Sequence, residues 1–242
     1  MIPELYERMA NNQNEHWWFV ARRKILSRTI ASLNLPHNAQ ILEIGCGTGG
    51  NIPMLQEFGE VTGIEHDAFA REYASNSSNI TISDGTLPDN VKSDRKFDLI
   101  CLFDVIEHIE SDVSSLQTAK KLLNPGGQIV VTVPAYMWLF SSHDSTHGHF
   151  RRYTSKQLID MAAQIDLSLQ RTTYFNCLLF PLGALRRALS MVFPGKMSAD
   201  SEMPSPLINY ALRSVFSVEA RIIDKLYMPF GLSVMAVYKS PS

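Results

Sequence analysis

The strongest constraint on this chain is a glycine run that closes a short aliphatic segment, Ile41-Leu42-Glu43-Ile44-Gly45-Cys46-Gly47-Thr48-Gly49. An apolar run of this length, bounded by glycine, predicts a buried strand. The glycines let the backbone turn tightly and come close to a ligand. A helix opening behind the turn would aim free N–H groups and the positive end of its dipole at that ligand, which suits a carboxylate or a phosphate equally. Twenty positions beyond Gly45, Glu65 ends a second aliphatic run, where a carboxylate can accept both hydroxyls of a ribose. A glycine turn can also serve packing alone, but the acid at this spacing favours a nucleoside ligand. Gly45, Gly47 and Gly50 satisfy the literal G-x-G-x-x-G of dinucleotide sites, so the turn by itself leaves the nucleoside open.

Further short runs follow at regular intervals. Val61–Ile64, Ile80–Ile82, Leu99–Phe103 and Ile129–Val133 read as strands, with Asn124-Pro125-Gly126-Gly127 as a turn before the last of these. Leu167–Phe175 and Ser233–Tyr238 read as two more strands, and Ser155–Ala163 as a helix. Continuous rather than alternating apolar runs, separated by helical stretches, predict βαβ units around a mostly parallel sheet buried on both faces. The first ~35 residues read as helical and aromatic, while Pro134–Arg152 reads as a polar loop. Leu207, Ile208, Ala211, Leu212, Val215, Phe216, Ile222, Ile223 and Leu226 recur at helical spacing and predict one long amphipathic helix. The expected organisation is a helical lid over 1–36, an α/β domain over 37–176 and 231–242, and a helical cap inserted over 177–230. The chain has 242 residues, 45% hydrophobic and 19% charged, enough for one such domain with a sizeable core.

Four successive strand ends carry acids: Glu43, Glu65, Asp84 and Asp104. They repel a pyrophosphate. Glu43 can instead hold an ammonium group, directly or through water, and Asp84 can accept from an adenine amino group. A dinucleotide has no ammonium; S-adenosylmethionine has one on its amino-acid end. Ile41 to Gly49 resembles motif I of the class I S-adenosylmethionine-dependent methyltransferases. Val61-Thr62-Gly63-Ile64-Glu65 resembles their second motif. The run Phe97-Asp98-Leu99-Ile100-Cys101-Leu102-Phe103-Asp104-Val105-Ile106-Glu107-His108-Ile109 resembles their fourth-strand motif in the form found in the ubiquinone and small-molecule group. Leu122-Leu123-Asn124-Pro125-Gly126-Gly127 is similar to their turn before strand five. The resemblance covers about residues 38–135. It implies a Rossmann-like seven-stranded sheet with an antiparallel last strand and S-adenosyl-L-methionine at the strand carboxyl ends. Glu65 is then expected on the ribose, and Asp84 with Gly85 on the adenine. Gly45, Cys46, Gly47 and Gly49 are expected near the methionine part, and Phe103 with Asp104 on the same edge. His66 stands where the family often has an apolar residue.

Methyl transfer from a sulfonium carbon needs alignment more than activation of the leaving group. A hydroxyl acceptor also needs its proton removed, for which histidine is suited. His149 and His147, in His143-Asp144-Ser145-Thr146-His147-Gly148-His149-Phe150-Arg151-Arg152-Tyr153, are candidate bases; Arg151, Arg152 and Tyr153 are candidate orienters of the acceptor. His108 is a third candidate, with a helix-start interaction as its ordinary alternative. The histidines of this loop equally suit caps and water. His143, Asp144, His147 and His149 are metal-ligand types, but their spacing matches no specified metal motif, and no metal is expected. His16-Trp17-Trp18-Phe19 together with Arg22 is expected to form a helix that covers the cofactor, with Trp18 and Phe19 touching the acceptor; Arg22 is a candidate partner for the methionine carboxylate. Core packing explains the aromatics as well.

Several classes are disfavoured. A net charge of −2 gives no basic nucleic-acid footprint, and no Asn-Pro-Pro-Tyr-like tetrapeptide follows the fourth strand. Three distant cysteines form no framework and fit a reducing, cytoplasmic setting. No Tyr-x-x-x-Lys pair supports a nicotinamide oxidoreductase, which stays as an alternative beside a non-catalytic nucleoside-binding module. The N-terminus lacks the apolar core of a signal peptide, and no run of about 18 apolar residues occurs. Residues 178–193 are apolar with two adjacent arginines. They read as a cap helix or dimer face, or as a peripheral membrane contact that admits a lipid-linked acceptor. The expected partners are therefore a small-molecule or lipid-linked substrate and, at most, a second copy of the chain.

Overall fold

The computed structural model describes residues 3–91, 93–192 and 203–241. Two helices, α1 (Pro3–Asn12) and α2 (Trp17–Ala31), precede β1 (Ala39–Ile44), α3 (Ile52–Gln56), β2 (Gly59–Ile64), α4 (Ala68–Ser78) and β3 (Ile82–Ser83). Then come β4 (Phe97–Phe103), α5 (Asp112–Lys121), β5 (Leu123–Pro134), α6 (Ser142–His147), α7 (Ser155–Gln164) and β6 (Ser168–Phe175). The chain ends with α8 (Phe180–Val192), α9 (Pro206–Val218) and β7 (Ser233–Lys239).

The seven strands form one sheet in the order β3-β2-β1-β4-β5-β7-β6. The first five run parallel, and β7 inserts antiparallel between β5 and β6. The expected Rossmann-like sheet with a reversed last strand is present. The aliphatic runs explain the burial. Leu42, Ile100 and Val131 point to one face, packing with Leu116 of α5 and Leu158 of α7. Their neighbours Ile41, Leu99 and Val130 point to the other, packing with Ile25 and Leu26 of α2 and Phe216 of α9. Strands buried on both sides have no polar face to show, hence the unbroken runs.

Four local expectations are corrected. Asn124–Gly127 does not end before the fifth strand but lies inside β5. Phe97 pairs Leu123 while Leu99 pairs Gln128, so the turn residues form a bulge, with Gly126 at φ 73°. Pro134–Arg152 is not one open loop: a 3-10 turn at Met137–Leu139 and α6 occupy it, α6 opening with a Ser141–Asp144 capping box. The long helix expected to reach Leu226 stops at Val218. Buried Glu219 turns its carboxylate inward to accept the backbone N–H groups of Asn176, Cys177 and Leu178, at 2.7, 2.7 and 2.9 Å, and a 3-10 turn follows. The third strand is also shifted, to Ile82–Ser83.

Between β6 and β7, α9 packs on α2. The segment singled out over 178–193 is α8 as far as Val192, with Leu178, Leu182, Leu185 and Leu189 exposed; residue 193 lies outside the described residues. Among the described residues no helix is long and apolar enough to cross a membrane.

Candidate active site

The carboxyl ends of β1, β2 and β4, covered by α1 and α2, enclose a cavity of about 760 Å3. At its floor the chain leaves β1 through Gly45, Gly47 and Gly49, with φ of 71°, 55° and 80°. A side chain at Gly45 would strike Val105 at 2.7 Å, so the backbone comes as near β4 as it can. Gly49 does not line the cavity: its missing side chain makes room for Ala74 of α4, a packing role. Gly50, Asn51 and Cys46 complete the cavity side of the loop.

Glu65 is buried beside this loop. One carboxylate oxygen accepts the Gly47 N–H at 2.8 Å and the other the Asp67 N–H at 2.9 Å; the Tyr6 hydroxyl of α1 also bonds to it. These three bonds leave one of the carboxylate's roughly four acceptor directions for a ligand hydroxyl, and a second hydroxyl can take the place of Tyr6. Behind the loop, Asn51 donates to one oxygen of Glu43 at 2.8 Å, while the other oxygen is buried without a donor. Burial pushes the Glu43 carboxyl up to about 7, against the Asn51 bond and the charge of Arg22. Because the folded state holds this proton more tightly than the unfolded chain, its stabilising effect is complete at acid pH. It is lost as pH rises from the ordinary carboxylate value through 7, by about 3 kcal/mol at most. Glu43→Gln should therefore raise Tm by several degrees at pH 8 and by little at pH 5. Thermal melts of both proteins at the two pH values check this; equal melting at pH 8 refutes it.

The other predicted binding residues divide. Phe103, Gly85, His66 and Asp104 line the cavity. Asp84 does not: half-exposed, it pairs with Arg71 at 3.1 Å and has His66 at 3.6 Å, so the charge of α4 draws it off the wall. Gly85 is required by space, since a side chain there would meet the Asn90 carbonyl at 2.7 Å. Asp104 adopts φ 57° and carries the buried Arg22 guanidinium at 2.7 Å; Thr132 bonds to both. Arg22 also lies between the rings of Trp18 and Phe103, 5.0 and 5.5 Å from their centroids. Arg22 lines the cavity while its guanidinium is paired with Asp104, and its Nε is buried without a hydrogen-bond partner. Trp18 and Phe19 line the cavity as expected.

At another part of the wall stand Glu107, His108, His143, His147, His149 and Arg152. His149 Nδ1 lies 2.9 Å from Asp144, which is fully buried and clasped by Arg152 through Nε and Nη2 at 2.8 and 3.1 Å. Burial would raise the Asp144 carboxyl, but His149 and Arg152 hold it well below the usual carboxylate range. His147 bonds through Nδ1 to the His143 carbonyl at 2.8 Å. The His108 ring meets His149 edge to face at 4.6 Å, and burial, then His149, lowers its pKa to about 4, leaving it neutral near pH 7. Arg151 and Tyr153 do not join this group. Both turn to Asp112, at 2.9 Å each, because the α5 N-terminus offers the nearest carboxylate. Arg152 orients Asp144 rather than an acceptor.

The cavity residues that sequence reasoning missed include Tyr6, Asn51 and Glu107. Tyr6 lacked any signal beyond an amphipathic N-terminal helix. Asn51 directly follows the last glycine of the loop and could have been read as part of it. Glu107 carried the clearest clue, an acid beside His108 just past a buried strand, yet only the fold shows it fully buried with both carboxylate oxygens lacking a donor.

Residues 15–172 match a family model described as a methyltransferase domain. The ubiquinone biosynthesis O-methyltransferase of Glaesserella parasuis is 31% identical over 206 residues, covering 72% of this chain and 86% of that enzyme. The mitochondrial ubiquinone biosynthesis O-methyltransferase of Dictyostelium discoideum is 24% identical over 131 residues, 46% of this chain and 41% of that longer protein. Among solved structures, the N-methyltransferase NodS of Bradyrhizobium japonicum in complex with S-adenosyl-L-homocysteine superposes with a TM-score of 0.59 at 17% identity, covering 99% of this chain and 98% of NodS. A chain of the Haloferax volcanii complex of the Trm112 activator with a methyltransferase gives 0.64 at 14% identity, covering 99% and 95%. Together with the glycine loop and the buried Glu65 at the end of β2, these matches show that the chain belongs to the class I S-adenosylmethionine-dependent methyltransferases.

Proposed function

We propose that the protein transfers a methyl group to a hydroxyl oxygen of a small-molecule or lipid-linked acceptor. The observation that carries this reading is the Asp144–His149 pair. Asp144 holds one ring nitrogen at 2.9 Å and leaves the other to the cavity that the glycine loop shares. An amine acceptor needs little help with its proton; a hydroxyl needs a group that takes it. The names of the two curated relatives, both O-methyltransferases, favour the same acceptor atom.

The residues present fit the cofactor. Glu65 accepts the ribose hydroxyls with the lone pairs left beside its backbone bonds, and the Gly45–Gly47 backbone passes the methionine part. Glu43 does not line the cavity; it acts through Asn51, which does and which donates to it. His66 and Gly85 flank the adenine end. When bound, S-adenosylmethionine supplies an electrophilic methyl on a sulfonium leaving group. The chain excludes water with α1 and α2 and with α8 and α9, the described helices of the expected lid and cap; residues 193–202 of that cap lie outside the described residues. His108, His147 and His149 line the polar end where the hydroxyl loses its proton. Leu179 and Leu182 give the cavity an apolar side that suits an aromatic or prenyl body.

The test is transfer of radiolabelled methyl from S-adenosylmethionine to catechols, phenols and amines of matched size. Label in an ether product, with matched amines unlabelled, supports the reading. Label only in amines overturns the oxygen assignment, and binding of the cofactor without transfer to any acceptor favours a non-catalytic module.

A further inference from the structure

Between α2 and α9 lies a second hollow, of about 910 Å3, that shares no lining residue with the methyl-transfer cavity. Lys24 and Arg28 stand one turn apart on α2; Arg213 of α9 and Arg221 of the 3-10 turn after it line the hollow with them. No acid lines it. Arg28 meets Asp224 at 2.7 Å, whereas among the described residues Lys24, Arg213 and Arg221 form no ion pair. Glu219, the acid that the chain places between Arg213 and Arg221, faces away, toward the amides of Asn176, Cys177 and Leu178. Like charges one turn apart on a helix repel. Composition does not impose this crowding, since the chain carries 24 acids against 22 lysines and arginines. The walls are held in place. Asn209 of α9 accepts the Trp17 amide at 2.7 Å and donates to the Glu15 carbonyl at 2.9 Å, and Phe216 packs with Ile25 and Leu26 of α2. Small side chains leave the space open, and the Ser217 hydroxyl among them is buried without a partner. A buried hydroxyl without a partner costs free energy that a ligand oxygen would recover.

We propose that this groove binds the phosphate or diphosphate group of a ligand other than the methyl donor, carried by a soluble ester or by a lipid headgroup. Guanidinium forks match the oxygens of a phosphate in pairs, and Lys24 adds a point charge. The Ser217 hydroxyl can donate to a further oxygen. A carboxylate has two oxygens, too few to answer cations that come from three elements; a diphosphate has enough. The volume lies within the roughly 300–1,000 Å3 of small-molecule sites. The groove stands beside the methyl-transfer cavity on the same two helices: α2 gives Trp18 to the cavity and Lys24 to the groove, and α9 gives Ile208 and Arg213. A ligand that bridges the groove therefore braces two walls of the cavity. The inference does not depend on which atom accepts the methyl group.

The experiment uses the full chain saturated with S-adenosylhomocysteine, so that the other cavity is filled. Inorganic diphosphate is titrated calorimetrically, and sedimentation with phosphatidylcholine vesicles is measured with and without phosphatidic acid. The proteins are the wild type, Arg213→Ala/Arg221→Ala, Ser217→Ala, and Arg95→Ala/Lys156→Ala, which removes the same charge from exposed sites elsewhere. The wild type should bind about one equivalent of diphosphate with a Kd below about 1 mM, weakening as salt is added. The groove double variant should lose at least about tenfold in affinity, and Ser217→Ala about 2- to 10-fold. The control double variant should stay within about threefold of wild type, because exposed charges remote from the groove are screened. Thermal melts without diphosphate identify a variant that fails to fold; Ser217→Ala keeps every charge and carries the test if the double variant does. Diphosphate binding that falls in this order supports the proposal with a soluble ligand. Sedimentation that requires phosphatidic acid and the two groove arginines, without diphosphate binding, supports it with a headgroup. Neither form of binding, or a loss as large in the control double variant as in the groove, overturns it.

Discussion

His149→Ala should lower kcat by roughly 10²- to 10⁴-fold while leaving the affinity for S-adenosylhomocysteine within about threefold of wild type. The size follows from what the side chain is proposed to do for a hydroxyl acceptor: as base, it takes the proton. The selectivity follows from place. His149 shares the polar wall with His108 and Glu107, whereas the nucleoside-facing groups are Glu65 and the glycine loop. Nor should the change unfold the protein, because the Asp144–Arg152 clasp stays intact without the ring. Single-turnover kinetics together with calorimetric titration separate the two quantities. A fall in cofactor affinity that matches the fall in rate would move His149 to the nucleoside, and an unchanged kcat would remove it from the chemistry.

Glu65→Ala should weaken S-adenosylhomocysteine binding by two to four orders of magnitude. Hydrogen bonds to a charged group contribute about 1.5–3 kcal/mol each, and the proposed reading puts two ribose hydroxyls on this carboxylate. Glu65 also fixes the site before any ligand arrives, through the Gly47 and Asp67 amides at 2.8 and 2.9 Å. Alanine leaves both buried donors and the Tyr6 hydroxyl without that acceptor, so a few degrees of Tm should be lost as well. Glu65→Gln keeps an acceptor and the shape, and its binding loss should fall between wild type and alanine. Calorimetry on the three proteins reads this series; an alanine variant that binds S-adenosylhomocysteine as the wild type does would place the ribose elsewhere.

The floor of the site was legible because it is made by local chemistry. Three glycines at alternate positions take positive φ, a property of the residue type, and Glu65 follows at the distance one βαβ unit imposes. Residues that act through partners far along the chain were harder to read. Asp84 ends its strand on schedule but is claimed by Arg71. Arg151 and Tyr153 are claimed by Asp112. In each case an ion pair or hydrogen bond between segments outweighs the role that position alone suggests, because a buried or half-buried charge takes the nearest opposite group the fold supplies. The helix expected to reach Leu226 failed in the same way: apolar spacing continues past Val218, but Glu219 is drawn inward by three backbone amides of another segment.

The sequence by itself determined the sheet, its two buried faces and the nucleoside loop, because hydrophobic period and glycine stereochemistry act over a few residues. Only the tertiary structure decided which acids meet cations, which histidines share a wall, and that Glu107 is buried bare between two imidazoles, because those energies depend on distances that exist only once segments distant in the chain have packed.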